Sequence, residues 1–254
     1  MDMNLQDLYL FIFIMVRVGS IMVLAPFFST SFIPNLVKIS LVFLISFLLM
    51  NSKIDFTEVM NTSDLLFFII HEVAIGLLIG LISSIIFQAS QVAGNLLDFS
   101  GGLSMAQTYS PLTGGRASVY GRLFGMIALT VFVIIDGPMI YLHLLADSYE
   151  LVPNVNEITT QGALIFVAQS VGSCVSIGVQ IAIPFVVMFL ISDITLGLIS
   201  RTIPQINVFI LGIPMRFLVG IIMVSILATS LVANFEELAR FMFETIEEFF
   251  IALQ

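Results

Sequence analysis

From Leu65 to Leu97 the chain forms one long, predominantly apolar run, and Glu72 is its one formally charged residue. As a helix rising about 1.5 Å per residue, this stretch is roughly 50 Å long, well beyond the ~30 Å hydrocarbon thickness of a bilayer. It must tilt, kink or continue into protein rather than lipid. A run of this kind excludes an ordinary soluble domain, and the composition agrees: 59% of residues are hydrophobic, 10% are charged and mean hydropathy is +1.14. The expected class is an all-α polytopic membrane protein.

The remaining apolar runs divide the chain into about six segments, several of them interrupted. Leu8 to Phe28 contains Arg17 and closes at Ala25-Pro26, and Leu36 to Met50 is short for a bilayer span. Ala117 to Ala146 is broken by Asp136-Gly137-Pro138, Gly162 to Ile199 by Pro184 and Asp193, and Val208 to Ala233 by Gly212-Ile213-Pro214. The predicted fold is one membrane domain over residues 1–254, made of broken, inclined helices and helical hairpins. Alternating the loops puts Lys38, Arg116, Arg122, Arg201 and Arg216 on one side and Lys53 and Arg240 on the other, which favours an outward-facing N-terminus. With Asp2 and Asp7 ahead of the first apolar run, the start lacks the basic n-region of a signal peptide, so this run is expected to be retained.

Between Asp98 and Arg116 the chain turns glycine-rich and polar without becoming charged. Gly101-Gly102 and Gly114-Gly115 bracket this stretch, and glycine relaxes backbone restriction at each end, so the residues between could hinge as a unit. Inside lie Leu103, Met105, Tyr109 and Leu112. Two readings stay open. One is a connector packed against neighbouring helices; the other is a constriction across a water-reached passage, because loops survive at membrane depth only where protein buries them or water reaches them.

Polar and small residues mark faces that must meet protein or water. Ser84, Gln88, Gln91, Asn95 and Asp98 follow at steps of four, three, four and three, a row that suits either interhelical hydrogen bonds or a wet path. Gly76 with Gly80, and Gly121 with Gly125, form GxxxG pairs for close helix packing. Arg17, Glu72, Asp136, His143 and Asp193 are the ionisable groups inside apolar runs; pairing that holds helices together is the simpler reading and a proton relay the alternative. From residue 234 to 254, Phe235, Leu238, Met242, Ile246, Phe249 and Leu253 recur at helical steps opposite Glu236, Glu237, Glu244, Glu247 and Glu248. An acidic amphipathic helix is repelled by anionic lipid, so it is expected to dock on protein.

No enzyme is recognisable. His71-Glu72 would need a second histidine where Ile75 stands to make a zinc-protease helix, and the lone Cys174 offers neither a disulfide nor a cysteine cluster. No metal site or cofactor is expected. A net charge of −9 with scattered basic residues gives no nucleic-acid surface.

Three motifs in order carry a resemblance. Ala25-Pro26 with Ile33-Pro34 and Val37-Lys38, Ala93-Gly94-Asn95 running into Gly102-Leu103-Ser104-Met105-Ala106, and Arg201-Thr202-Ile203-Pro204-Gln205 followed by Phe209-Ile210-Leu211-Gly212-Ile213-Pro214 resemble the FliR family of the flagellar type III export gate, across essentially the whole chain. The resemblance implies a non-catalytic subunit of an inner-membrane gate in the flagellar basal body, related to its injectisome counterparts. It implies FliP-type and FliQ-type partners, an FlhB-type protein at the cytoplasmic side, and unfolded export substrates. It further implies a FliP-like N-terminal portion and a FliQ-like C-terminal hairpin. The stretch between Gly101 and Gly115 would be a pore plug, with Leu103, Met105, Tyr109, Pro111 and Leu112 filling the lumen and the glycine pairs hinging. The chain departs from the family pattern in having Phe99-Ser100 before the glycine pair, Ser110-Pro111 for Asp-Pro, and Gly137-Pro138 for Gly-His. A secondary transporter, with half-helices meeting at Asp136-Gly137-Pro138 and Gly212-Ile213-Pro214, is the rival from another class.

Overall fold

The computed structural model describes residues 5–30, 33–50, 62–103, 118–151, 160–203 and 208–252. All regular structure among them is helical: α1 (Leu5–Leu24), α2 (Asn35–Met50), α3 (Thr62–Phe87), α4 (Ala89–Ser100), α5 (Val119–Ile134), α6 (Gly137–Leu151), α7 (Thr160–Thr202), α8 (Val208–Ile226) and α9 (Ala228–Ala252). Asp7–Leu24, Leu65–Ser100 and Gly162–Thr202 are long and apolar enough to cross a membrane, and counting the helix pairs joined at a break raises the spans to five. The chain is an all-α polytopic membrane protein.

Several helix ends follow from local chemistry. Pro26 disfavours helical dihedrals at the residue before it, and α1 stops at Leu24. Ser118 caps α5, its Oγ accepting a hydrogen bond from the Gly121 amide at 2.8 Å. Asp136 separates α5 from α6 with φ at 57°, a left-handed conformation that aspartate tolerates better than most residues. Its carbonyl then accepts from Met139 N at 2.9 Å, and Pro138 sits in the first turn of α6, where a missing N–H costs nothing.

Elsewhere the helices depart from the sequence reading. Pro184 lies inside an unbroken α7 and Pro214 inside an unbroken α8. Prolines are tolerated in membrane helices because neighbouring groups satisfy the carbonyl they release. The interruption falls instead at Leu227, where α8 and α9 bend by 71° although no proline or glycine stands there.

The helices fall into two compact units. In the first, which takes Met1–Phe87, Asp136–Val171 and Arg240–Gln254, α1 and α3 pack through small residues. A methyl group on Gly76 would lie 2.7 Å from the Arg17 carbonyl oxygen, and one on Gly80 would lie 3.0 Å from that of Ile21. Ile14, Val18, Ile21, Ile75, Ile79 and Ile82 are buried. Met242, Ile246 and Phe249 of α9 are buried too, with the Phe249 ring 5.5 Å from that of Phe166. The acidic amphipathic helix thus spends its apolar stripe on its own chain, while Glu244, Glu247 and Glu248 stay exposed.

The second unit takes Gln88–Ile135 and Gly172–Ala239. Here α4 and α5 form an antiparallel hairpin: Gln91 meets Gly125, Gly94 meets Gly121, and Asp98 meets Tyr120. Phe124 stacks edge-on between Phe185 at 5.7 Å and Phe235 at 5.9 Å. A methyl group at Gly94 would fall on the Gly121 backbone, whereas nothing lies within 4 Å of one at Gly172. Gly94→Ala is therefore expected to destabilise the purified protein by about 1–3 kcal/mol, and Gly172→Ala to stabilise it by about 0.5–1 kcal/mol. Circular dichroism melts in detergent would show the two shifts in opposite directions; equal shifts would contradict the hairpin packing.

Candidate functional site

The glycine-flanked stretch is the connection at the tip of the α4–α5 hairpin. Of the residues singled out there, Gly101, Gly102 and Leu103 are described; Met105, Tyr109, Pro111, Leu112, Gly114 and Gly115 lie outside the described residues. Gly101 ends α4 with its amide donating to Leu97 O at 2.7 Å, and its own φ is −74°. Gly102 is the turning point: its φ of 77° lies where a side chain is strained. The left-handed backbone calls for glycine at Gly102, while Gly101 keeps a helical φ and a Cβ there would lie 2.9 Å from Leu97 O.

Two helices hold this turn. The Phe189 ring of α7 lies 3.7 Å from the position a Cβ would take at Gly101, and Arg216 Nη1 of α8 lies 3.2 Å from that position at Gly102. Arg216 Nε in turn donates to Asp193 Oδ1 of α7 at 2.6 Å, in a part-buried ion pair. Asp193, one of the ionisable groups inside apolar runs, is thus fixed to a guanidinium that rests over the glycine turn. Sequence reading did not couple Arg216 to this site, since the pairing is made across 23 residues and by the packing of α7 on α8.

The far end of the connection is anchored as well. Beyond the Ser118 cap, the Tyr120 amide donates to Asp98 Oδ1 at 3.3 Å, and the Tyr120 hydroxyl donates to the Phe217 carbonyl of α8 at 3.1 Å. Asp98 is buried, and its Oδ2 has no hydrogen-bond partner among the described residues. The Tyr120 ring occupies the space a side chain at Gly220 would need. Of the polar row, Asp98 turns inward, while Gln88, Gln91 and Asn95 are exposed.

A second polar cluster lies in the other unit. Arg17, buried in α1, makes a two-pronged pair with Glu72 of α3, from Nε to Oε2 and from Nη2 to Oε1 at 2.9 Å. Its Nη1 donates to Ser148 O at 2.9 Å, and its guanidinium carbon lies 4.0 Å from the centre of the Tyr149 ring. The Tyr149 hydroxyl donates to Ile14 O at 3.3 Å. These contacts bind α1, α3 and α6 together and saturate the charge, which is what a structural ion pair in hydrocarbon requires. His143 and Asp136 are exposed. Among the described residues, no group of three His, Cys, Asp or Glu side chains could hold a metal ion.

A sequence profile described as bacterial export proteins, family 1, matches residues 8–242. The chain belongs to the FliR family of bacterial export proteins. It is 30% identical to the flagellar biosynthetic protein FliR of Aquifex aeolicus over 81% of this chain and 80% of that protein. It is 29% identical to FliR of Pectobacterium carotovorum over 84% of this chain and 81% of that protein, and 27% identical to FliR of Bacillus subtilis over 84% and 83%. Membership of this FliR family makes the chain a membrane component of a flagellar export apparatus.

The Arg17 cluster generates a test of its own. Removing one partner of a buried pair costs about 3–5 kcal/mol, whereas replacing both with apolar side chains is often neutral. Arg17→Met alone should strongly reduce the folded protein recovered from membranes, and Arg17→Met with Glu72→Met should restore most of it. Quantitative immunoblotting of detergent-extracted protein reads the difference; a double variant no better than the single one would mean that the charges themselves are needed.

Proposed function

We propose that this chain is a pore subunit of the flagellar protein export gate, and that the stretch between Gly101 and Gly115 closes its lumen until unfolded substrate arrives. The observation that carries the reading is the anchored hairpin tip. The described residues on both sides of the connection reach helix α8: Gly102 lies beside Arg216, and the Tyr120 hydroxyl donates to the Phe217 carbonyl. Leu103, Met105, Tyr109, Pro111 and Leu112 supply apolar bulk for a seal, and Gly102 with the Gly114-Gly115 pair lets the loop swing while its base stays fixed.

The large exposed apolar faces support assembly with other subunits. Val175, Val179, Ile183, Val187, Leu190, Ile194 and Leu198 form a continuous exposed stripe along α7. FliP-type and FliQ-type subunits would cover such faces, an FlhB-type protein would join at the cytoplasmic side, and the whole would sit in the bacterial inner membrane at the flagellar basal body. Within this assembly the chain would comprise a FliP-like N-terminal portion and a FliQ-like C-terminal hairpin ending in the acidic amphipathic helix of residues 234–254. Driving energy would reach the gate through other subunits. The transporter reading loses support because α8 runs unbroken through Gly212-Ile213-Pro214, where it needs a half-helix end.

Deleting residues 103–113 should leave an assembled complex that conducts small ions. Membrane permeability to potassium or a small sugar in cells co-producing the gate subunits measures it. A correctly assembled deletion complex with unchanged permeability would contradict the plug.

A further inference from the structure

The first unit carries a groove that the export reading does not use. It runs along the seam between α1 and α2, has a volume of about 860 Å³, and is lined by Gly19 and Val23 of α1 and by Val42 and Phe43 of α2. Lys38 and Asn35 stand at one end of it. This volume falls in the range of about 300–1,000 Å³ typical of small-molecule pockets.

Its chemistry is sharply divided. Lys38 is the one charged side chain in α2, in the first turn of the helix. It is half-buried, and its Nζ donates to the Thr30 carbonyl at 2.9 Å, which fixes the ammonium at that end and uses one of its three donors. Beyond Lys38 and Asn35 the one other polar side chain lining the groove is Ser20, whose hydroxyl is turned back on its own helix, donating to Val16 O at 2.8 Å. The rest of the lining is apolar. The same end also carries the positive pole of α2, where anions are favoured. An occupant must bring a negative head at Lys38 and an apolar chain toward Phe43. In a membrane-spanning chain, the molecule of that description present in excess is an anionic phospholipid.

We propose that the α1–α2 groove binds an anionic glycerophospholipid, with its phosphate held by Lys38 and Asn35 and an acyl chain lying between Gly19 and Phe43. A partner helix would leave the ammonium without a counter-charge unless it supplied a carboxylate there, and is the competing occupant.

The chain contains no tryptophan, so Phe43→Trp creates a single emitter in the groove wall. The full-length Phe43→Trp protein would be reconstituted in nanodiscs in which either phosphatidylglycerol or phosphatidylcholine carries brominated acyl chains, and quenching compared. Phosphatidylglycerol is expected to show about fivefold higher relative affinity, the size of one lysine's contribution against an anionic lipid. Lys38→Gln should abolish that preference and Lys38→Arg retain it. A methyl group at Gly19 would meet only Val42, at 3.8 Å, so Gly19→Leu can fill the groove without disturbing the helices and should lower quenching by both lipids. Equal quenching by the two lipids, a preference that survives Lys38→Gln, or an emitter that no lipid reaches would each overturn the proposal, the last by showing protein in the groove.

Discussion

A polar group carried into hydrocarbon has to bring its partner with it, and the arrangement of these helices follows from that constraint. Arg17 illustrates the cost and the solution. Its guanidinium takes up both oxygens of Glu72, the carbonyl of Ser148 and the face of Tyr149, so one side chain ties three helices together. Asp193 and Arg216 do the same for α7 and α8. Hydroxyls with no such neighbour return to their own helix: Ser20 donates to Val16 O, Thr130 to Met126 O and Thr195 to Ile191 O, each four residues back. Ion pairs thus join some helices, tyrosine hydroxyls such as Tyr120 and Tyr149 join others, and the remaining hydroxyls are satisfied within their own helix.

Steric fit then sets how closely they meet. Between lipid-facing helices no hydrophobic force drives association, and close backbone approach has to come from small residues. Gly76 and Gly80 admit α1, and Gly94 with Gly121 brings α4 and α5 into backbone contact. Next to this contact, Gly102 takes a left-handed φ beside Arg216, and the Tyr120 hydroxyl bonds the Phe217 carbonyl, so the described residues on either side of the glycine-flanked stretch both reach α8.

Much of this was legible in the sequence, and the failures have physical reasons. Apolar runs far longer than a bilayer is thick pointed to a polytopic helical protein, and the stripe from Phe235 to Phe249 marked a face to bury. Asp136-Gly137-Pro138 was readable as a break because each residue favours one locally. Pro184 and Pro214 misled because a proline weakens a helix only if nothing else satisfies the released carbonyl, and inside a bundle that is settled by neighbours. The bend at Leu227 falls where neither proline nor glycine marks it in the sequence. Ion-pair partners were equally hidden. Arg17 and Asp193 stood out as expensive, but that Glu72 and Arg216 answer them depends on which helices come to lie side by side.

The proposed closure is the stretch between Gly101 and Gly115, which carries Met105, Tyr109 and Leu112 and is flanked by described residues that reach α8. Site-specific photocrosslinking tests it most directly. A benzophenone amino acid would be placed at Tyr109, Leu112 or the exposed α7 residue Val179 in an exporting complex loaded with a stalled flagellar substrate. Crosslinks to the substrate from Tyr109 and Leu112, and none from Val179, are predicted. A complex that exports normally yet gives no substrate crosslink at the hairpin tip, or gives it equally from Val179, would contradict the account.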